Sequence, residues 1–366
     1  MRFPEFSWEW EKCSIQDYGE VVTGNTPPTS HAEYYENGSY LWASPADLGI
    51  NKNITETKTK LSLSGFKKTR NIPKGSVLVT CIGSTIGKMG MATETMSSNQ
   101  QINSIVVNDK SNSDFVYYAI CRAFPRYLSE VGVQAVPILS KSNFEKLPNY
   151  TTCRDEQDKI GYFLNLLDER IATQNKIIEK LQSLIKGIAQ HCIKESISGI
   201  TYVKLGDICQ ISTGKLDANA QVDNGIYPFF TCAEQPFKID NFAFDTEALL
   251  ISGNGANLGY INYYKGKFNA YQRTYVLDLF SENIQYIKWA LKVLLPKRIA
   301  IEKSSSNTPY IVLSTLTDLR LPIPNKSNQC HIAKLMQSLE RKLSSQIALN
   351  GSYNKLKQYL LRQMFI

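Results

Sequence analysis

Two stretches of this sequence carry cations with no carboxylate to compete for them. Residues 57–93 hold Lys58, Lys60, Lys67, Lys68, Arg70, Lys74 and Lys88 and no acid, and Ala248 to Leu277, also acid-free, holds Lys265, Lys267 and Arg273. Unopposed cations suit phosphate oxygens, while Asn, Gln, Ser, Thr and Arg on loops can reach base edges in a groove. Both stretches offer that mixture. Ser84, Thr85, Asn99, Gln100 and Gln101 accompany the first; Asn254, Asn257, Gln272 and Arg273 accompany the second, with Lys215 on a loop upstream. A solvated turn explains any one of these residues alone. Their coincidence in two places favours a nucleic-acid-reading surface.

Catalytic chemistry has little to stand on. Gly253-Asn-Gly255-Ala-Asn-Leu-Gly259 has the glycines of a dinucleotide loop, but Tyr260-Ile-Asn-Tyr-Tyr follows, which reads as a strand. The helix N-terminus that would hold a pyrophosphate is then missing. No P-loop occurs. Asn307-Thr-Pro-Tyr310 resembles an amino-methyltransferase tetrapeptide only faintly, and no glycine-rich methyl-donor motif precedes it. Three histidines and eight cysteines scattered without a C-x-x-C pair argue against a metal centre and for a reduced chain. No metal and no cofactor is expected on this chain.

These residues must be positioned by something, and the sequence supplies it twice. LPNYTTCRDEQDKIGYFLNLLDERIATQNKIIEKLQSLIKGIAQHCI (Leu147–Ile193) and LPIPNKSNQCHIAKLMQSLERKLSSQIALNGSYNKLKQYLLRQMFI (Leu321–Ile366) both open with Leu-Pro and turn apolar at helical spacing. Before each lies a strand-like segment with shared landmarks. SIQDYGEVVTG (Ser14–Gly24) matches KLGDICQISTG (Lys204–Gly214), and YLWASPAD (Tyr40–Asp47) matches YPFFTCAE (Tyr227–Glu234). SVLVTCIGSTIGKMGM (Ser76–Met91) matches ALLISGNGANLGYINY (Ala248–Tyr263), and NQQINSIVV (Asn99–Val107) lines up with AYQRTYVLD (Ala270–Asp278). β-branched and aromatic runs bounded by Gly, Asn and Pro read as strands, and residues 114–128 and 283–300 as one buried helix per copy. A repeat this long is a duplicated domain rather than a solenoid.

In the first long helix apolar residues fall at Ile160, Leu164, Leu167, Ile171, Ile178, Leu181, Ile185 and Ile188, with Gln174 in the remaining slot. Steps of four and three make a heptad seam. The second keeps Ile332, Met336, Leu339, Leu343 and Gln346, then degrades through Asn350 and Tyr353 before Leu360 and Met364. Matching glutamines suggest that the helices face each other. About 36 residues of helix span on the order of 54 Å, whereas a globule of about 130 residues is only about 36 Å across. Such a globule bridges two antiparallel helices easily and two parallel ones poorly.

The expected fold is α+β: two mostly-β domains joined by two long helices packed as an antiparallel coiled coil, a pseudo-twofold internal duplication. The segments are 1–152, 153–198, 199–326 and 327–366. Net charge is +8, but Lys+Arg against Asp+Glu is 15 to 14, 7 to 7, 13 to 11 and 6 to 1 across them, so the excess sits on the last helix. The total charge is therefore weaker evidence for DNA than the local acid-free runs. MRFPEFSWEWEKC has no signal-peptide core, and no run approaches 18 uncharged apolar residues; a soluble cytoplasmic protein with no membrane partner is expected.

With these features the chain resembles a type I restriction-modification specificity subunit. The resemblance rests on Asp17–Pro28, DYGEVVTGNTPP, on Leu-x-x-Pro-x-x-x-E/D-Q-x-x-I at each long-helix start, and on two variable globules. The first helix start has Glu156-Gln157 before Ile160; the second has Gln329 before Ile332 without the acid, and Thr213-Gly214-Lys215 lacks the Thr-Pro-Pro tail. The resemblance implies a non-catalytic subunit whose two target-recognition domains each read half of a bipartite double-stranded DNA site. It implies that the helices set the spacer and dock two methyltransferase subunits, which a restriction and translocase subunit joins. S-adenosylmethionine, ATP and Mg would then belong to those partners. The competing readings are a coiled-coil scaffold whose two β-rich globules bind proteins, and a methyltransferase in its own right.

Overall fold

The computed structural model describes residues 2–7, 9–130, 137–194, 201–303 and 310–365. The chain forms two compact units, Met1–Asn175 with Ala348–Ile366, and Lys176–Ile347. These cut across the segments expected from the sequence, because each unit takes a globule together with one part of each long helix. Asn307 to Pro309 of the weak methyltransferase-like tetrapeptide lie outside the described residues.

In the first unit a five-stranded sheet runs in the order Gly19–Thr23, Ile102–Val107, Val77–Thr80, Met89–Ala92, Asn53–Ile54. A four-stranded sheet follows in the order Thr59–Leu61, Tyr40–Ala43, Met96–Ser98, Asn71–Ile72. Val77–Thr80 is buried along its whole length, as an unbroken apolar run in a central strand should be. The second unit has one six-stranded sheet: Gln210–Thr213, Thr274–Asp278, Phe244–Ser252, Ile261–Ala270, Tyr227–Phe230, Phe237–Ile239. A single long strand, Ile261–Ala270, here does the work of Met89–Ala92 and Met96–Ser98 in the first unit. Each unit adds a two-stranded ribbon, Glu11–Ser14 with Pro148–Thr151 and Thr201–Lys204 with Arg320–Ile323.

The expected buried helices are Ser113–Glu130 and Ile284–Lys303. Phe115, Val116, Tyr118, Ala119 and Ile120 of the first are buried against its sheet, as are Tyr286, Ile287, Ala290 and Leu291 of the second. The long helices are Arg154–Lys194 and Lys326–Met364. Their expected antiparallel direction is borne out. Within the first unit Asp168 pairs with Lys357 (2.5 Å), Arg170 with Tyr353 (3.2 Å) and Asn175 with Asn350 (2.8 Å), so one chain number rises as the other falls. Those pairs also explain why the seam degrades there: polar partners replace apolar knobs. Ile160 and Leu164 share a core with Leu360 and Met364, and Leu181 and Ile185 share one with Ile332 and Met336. Gln174 is buried in the first unit and Gln346 half-buried in the second.

One hydrogen-bonded joint is built twice. The Gln157 Oε1 accepts from the Asn112 backbone N–H (2.9 Å), and its Nε2 donates to the Thr152 carbonyl (2.8 Å). Asn112 in turn accepts from the Phe115 N–H and so caps the buried helix. In the second unit Gln329 accepts from the Asn283 N–H (3.0 Å) and donates to the Pro324 carbonyl (2.9 Å), while Asn283 accepts from the Tyr286 N–H. A glutamine in the first turn of each long helix thus locks it to the start of the buried helix. The neighbouring Glu156, found only in the first copy, takes the Arg2 guanidinium on both oxygens and the Thr152 hydroxyl. Burial alone would raise its pKa, but these partners hold it below the usual carboxylate range.

Ammonium groups, those of Lys52 and Lys288 buried, tie each globule to the helices. Lys52 donates to Asp114 and Asn165, and Tyr118 donates to Asp168. Burial pushes the Lys52 pKa down despite Asp114. In the second unit Lys288 and Lys292 both reach Glu340 (2.7 and 3.0 Å).

Candidate nucleic-acid interface

In the first unit the segment Thr23–Thr26 is the hub. The Asn25 amide donates to the Lys68 carbonyl and accepts from the Arg70 N–H, and its own carbonyl accepts from the Trp42 indole. One Arg70 nitrogen donates to the Thr23 carbonyl, and the Thr26 hydroxyl donates to the Gln100 Oε1. The basic turn 67–70, with Lys67, Lys68 and Arg70 exposed, is thereby fastened beside the turn 99–101. Next to it runs the loop Ile82–Lys88, whose Ile82 carbonyl accepts weakly from Gln101 (3.4 Å). Ser84 and Lys88 are exposed on this loop and Thr85 is half-buried. Lys58 and Lys60 are exposed at and beside the edge strand Thr59–Leu61, and the Lys58 N–H is held by Asp47.

The hub's side-chain bonds are not repeated in the second unit, but the backbone of the glycine loop is. In the glycine loop Thr80 N–H to Lys88 O, Gly87 to Thr80, Ile86 to Gly83 and Lys88 to Thr85 become Ser252 to Tyr260, Gly259 to Ser252, Leu258 to Gly255 and Tyr260 to Asn257. Gly83, Gly87, Gly255 and Gly259 all have φ between 77° and 94°, where a side chain is strained. A Cβ on Gly87 would also stand 2.8 Å from the Phe124 ring, and one on Gly259 2.6 Å from Ile299. The glycines are therefore explained by a tight loop between strands packed on the buried helix.

The neighbouring turns match as well. Asn99 N–H to Ala43 O, Ile102 to Asn99, Cys81 to Gln101 and Gly24 to Ile102 become Tyr271 to Phe230, Thr274 to Tyr271, Gly253 to Arg273 and Gly214 to Thr274. This corrects the sequence alignment by one residue: Asn99 corresponds to Tyr271 rather than Ala270, Gln100 to Gln272 and Gln101 to Arg273.

Not every expected residue is free to read. Asn99 is buried and its amide oxygen accepts from the Gln101 N–H, while its amide nitrogen donates to the Gln101 side chain. Gln101 is half-buried by the same contacts, so both shape the turn. Asn254 accepts from the Cys232 thiol and Asn257 donates to the Cys232 carbonyl, so Cys232 organises their loop. Lys215, Gln272 and Arg273 are exposed around it. Lys265 and Lys267 are not brought to this cluster. They lie four and six residues beyond Ile261 on the strand leaving the loop, with Lys265 facing Glu247 (3.3 Å) and Lys267 over the Phe242 ring (4.6 Å). Replacing Lys265 with Ala is accordingly expected to leave the salt dependence of DNA binding unchanged, measured as the slope of log K against log salt. A slope lower by about one would place a phosphate there.

Asn25, Thr26, Cys232 and the glutamines of the helix starts were not singled out by their chemistry. Asn25, Thr26 and Gln157 lie in the family-like motifs, which was the available signal. No group of acids, histidines and cysteines suited to a metal occurs among the described residues, and no helix among them is long and apolar enough to cross a membrane.

A doubled β-rich reader, an amide-bearing loop cluster at the same place in each, and an antiparallel helix pair define the class of two-domain DNA-specificity chains. Comparison with known proteins agrees. The family described as type I restriction modification DNA specificity domain matches residues 8–183 and again 197–350, and the chain belongs to this family. Over 143 residues it is 43% identical to the Escherichia coli type I restriction enzyme EcoDI specificity subunit, covering 39% of this chain and about a third (32%) of that one. It is 26% identical to the MjaIX specificity subunit of Methanocaldococcus jannaschii over 92% of this chain and 88% of that one. In fold it is similar to the S subunit of a type I restriction-modification system from M. genitalium, at 19% identity and a TM-score of 0.68, covering 98% of this chain and 96% of that one. Subunits of this kind are specificity components that work with other subunits of a type I complex.

Proposed function

We propose that each unit of this chain reads one half of a bipartite double-stranded DNA site, and that the long helices set the spacing and carry two adenine methyltransferase subunits. S-adenosylmethionine would be bound by those subunits, and ATP and Mg by a restriction and translocase subunit that joins them. The observation that carries this reading is the loop cluster built twice with the same backbone bonds and different side chains. Ile82-Gly-Ser-Thr stands against Asn254-Gly-Ala-Asn, and different side chains on one frame select different bases. The target as a whole is therefore non-palindromic. Exposed apolar residues on the helices, Tyr162, Phe163 and Leu166 in the first unit and Leu184 in the second, support protein docking there.

The test is reconstitution. The purified chain alone is expected to transfer no methyl group and cut no DNA, and addition of the methyltransferase subunits is expected to give adenine methylation at one asymmetric bipartite sequence. Turnover by the chain alone would restore the enzyme reading. DNA binding indifferent to salt would favour the protein-binding scaffold.

A further inference from the structure

We propose that Gln100 and Gln272 are specificity-determining residues that read the same base pair, adenine with thymine, at one matching position of two otherwise different half-sites. This rests on the reading of the chain as a DNA specificity subunit.

The corrected register puts these two glutamines at the centre of the same turn, held by the same four backbone bonds in each unit. Both are exposed. Everything around them differs. The turns read Asn-Gln-Gln and Tyr-Gln-Arg, the loops Ile-Gly-Ser-Thr-Ile-Gly-Lys and Asn-Gly-Ala-Asn-Leu-Gly-Tyr. Across turn and loop this glutamine is the one side chain beyond glycine that the two readers share. Its flank in the first unit is committed inward, since Asn99 is buried and Gln101 is bonded to Asn99 and Ile82. The outward-facing amide is left at the tip.

A glutamine amide sets a donor and an acceptor side by side, which complements the N7 acceptor and N6 amino group of adenine in the major groove. In the first unit the Thr26 hydroxyl braces Gln100 by donating to its Oε1 at 2.5 Å. That oxygen keeps a second lone pair for the adenine amino group, and both Nε2 hydrogens remain for N7. The residue matching Thr26 is Leu216, which pairs with Tyr271 through its backbone and has no hydroxyl. Gln272 is therefore unbraced by that route. The same base should be read more strictly by the first unit than by the second.

The experiment selects bound DNA from random-sequence duplexes, using the full chain complexed with the methyltransferase subunits. Gln100→Ala is expected to relax one position of one half-site, and Gln272→Ala one position of the other. Each loss of discrimination should be roughly 5- to 150-fold, the range of one bidentate contact. Both relaxed positions should be adenine in the unaltered consensus. Thr26→Val should relax only the position that Gln100 controls, with an unchanged unfolding midpoint. The inference is overturned if a sharp consensus survives both glutamine variants intact, or if the two relaxed positions carry different base pairs. Enrichment of no sequence by the unaltered complex would overturn the specificity reading and this inference with it.

Discussion

Replacing Lys67, Lys68 and Arg70 together with alanine is expected to weaken binding to every DNA sequence by about a hundredfold near 0.15 M salt. Each phosphate contact adds about 0.9 to the salt slope, worth about fivefold at that concentration, and three contacts multiply. The turn is suited to the task because its cations are exposed and no acid occurs between residues 57 and 93. Binding measured from low to high salt should give a slope lower by about 2.7, with the same loss on specific and random duplexes. An unchanged slope would mean that the turn faces solvent. A loss confined to the specific site would instead place Arg70, with the guanidinium donors not used on Thr23, at a base edge.

The second large effect is on folding. Gln157→Leu keeps the volume of the buried side chain but strands the Asn112 N–H and the Thr152 carbonyl that the amide satisfies. A buried polar group left without a partner costs about 1–3 kcal/mol, so the two together should cost roughly 2–6 kcal/mol. Gln329→Leu should cost a similar amount, because it strands the Asn283 N–H and the Pro324 carbonyl in the same way. Urea unfolding of the full chain measures both. A loss below about 1 kcal/mol in each would mean that water or a backbone shift replaces the amide.

The duplication was readable because strand and helix periodicity survive side-chain divergence. The helix direction was readable because it follows from lengths. Register within the turn Asn99–Gln101 was not. Gln101 and Gln272 looked like partners by side-chain identity, but in a three-residue turn only the ladder bonds, Thr80 with Ile102 and Ser252 with Thr274, decide it. A slip of one residue turns every side chain to the other face, and here it hid the match between Gln100 and Gln272. The acid-free stretches pointed to these loops and also to Lys265, whose carboxylate partner Glu247 lies just outside the run and opposite it on the neighbouring strand. Composition along a chain cannot see a cross-strand neighbour. The polar stretch around Asn350 and Tyr353 looked like decay of the seam for the same reason, its partners being remote in sequence.

The division into one continuous unit, Lys176–Ile347, and one assembled from both ends of the chain has a consequence for birth at the ribosome. Domains generally fold as units while synthesis proceeds from the N-terminus. The unit encoded second can close its core once Ile347 has emerged. The unit encoded first must wait, because Leu360, Met364 and Phe365 pack into its core beside Trp10, Phe115, Ile160 and Leu164. Translation order and maturation order are thus reversed for the first reader. Over that interval its apolar wall stands open to chaperones or to unwanted partners, and a released chain ending at residue 347 would hold every core residue of one unit and lack Leu360, Met364 and Phe365 of the other.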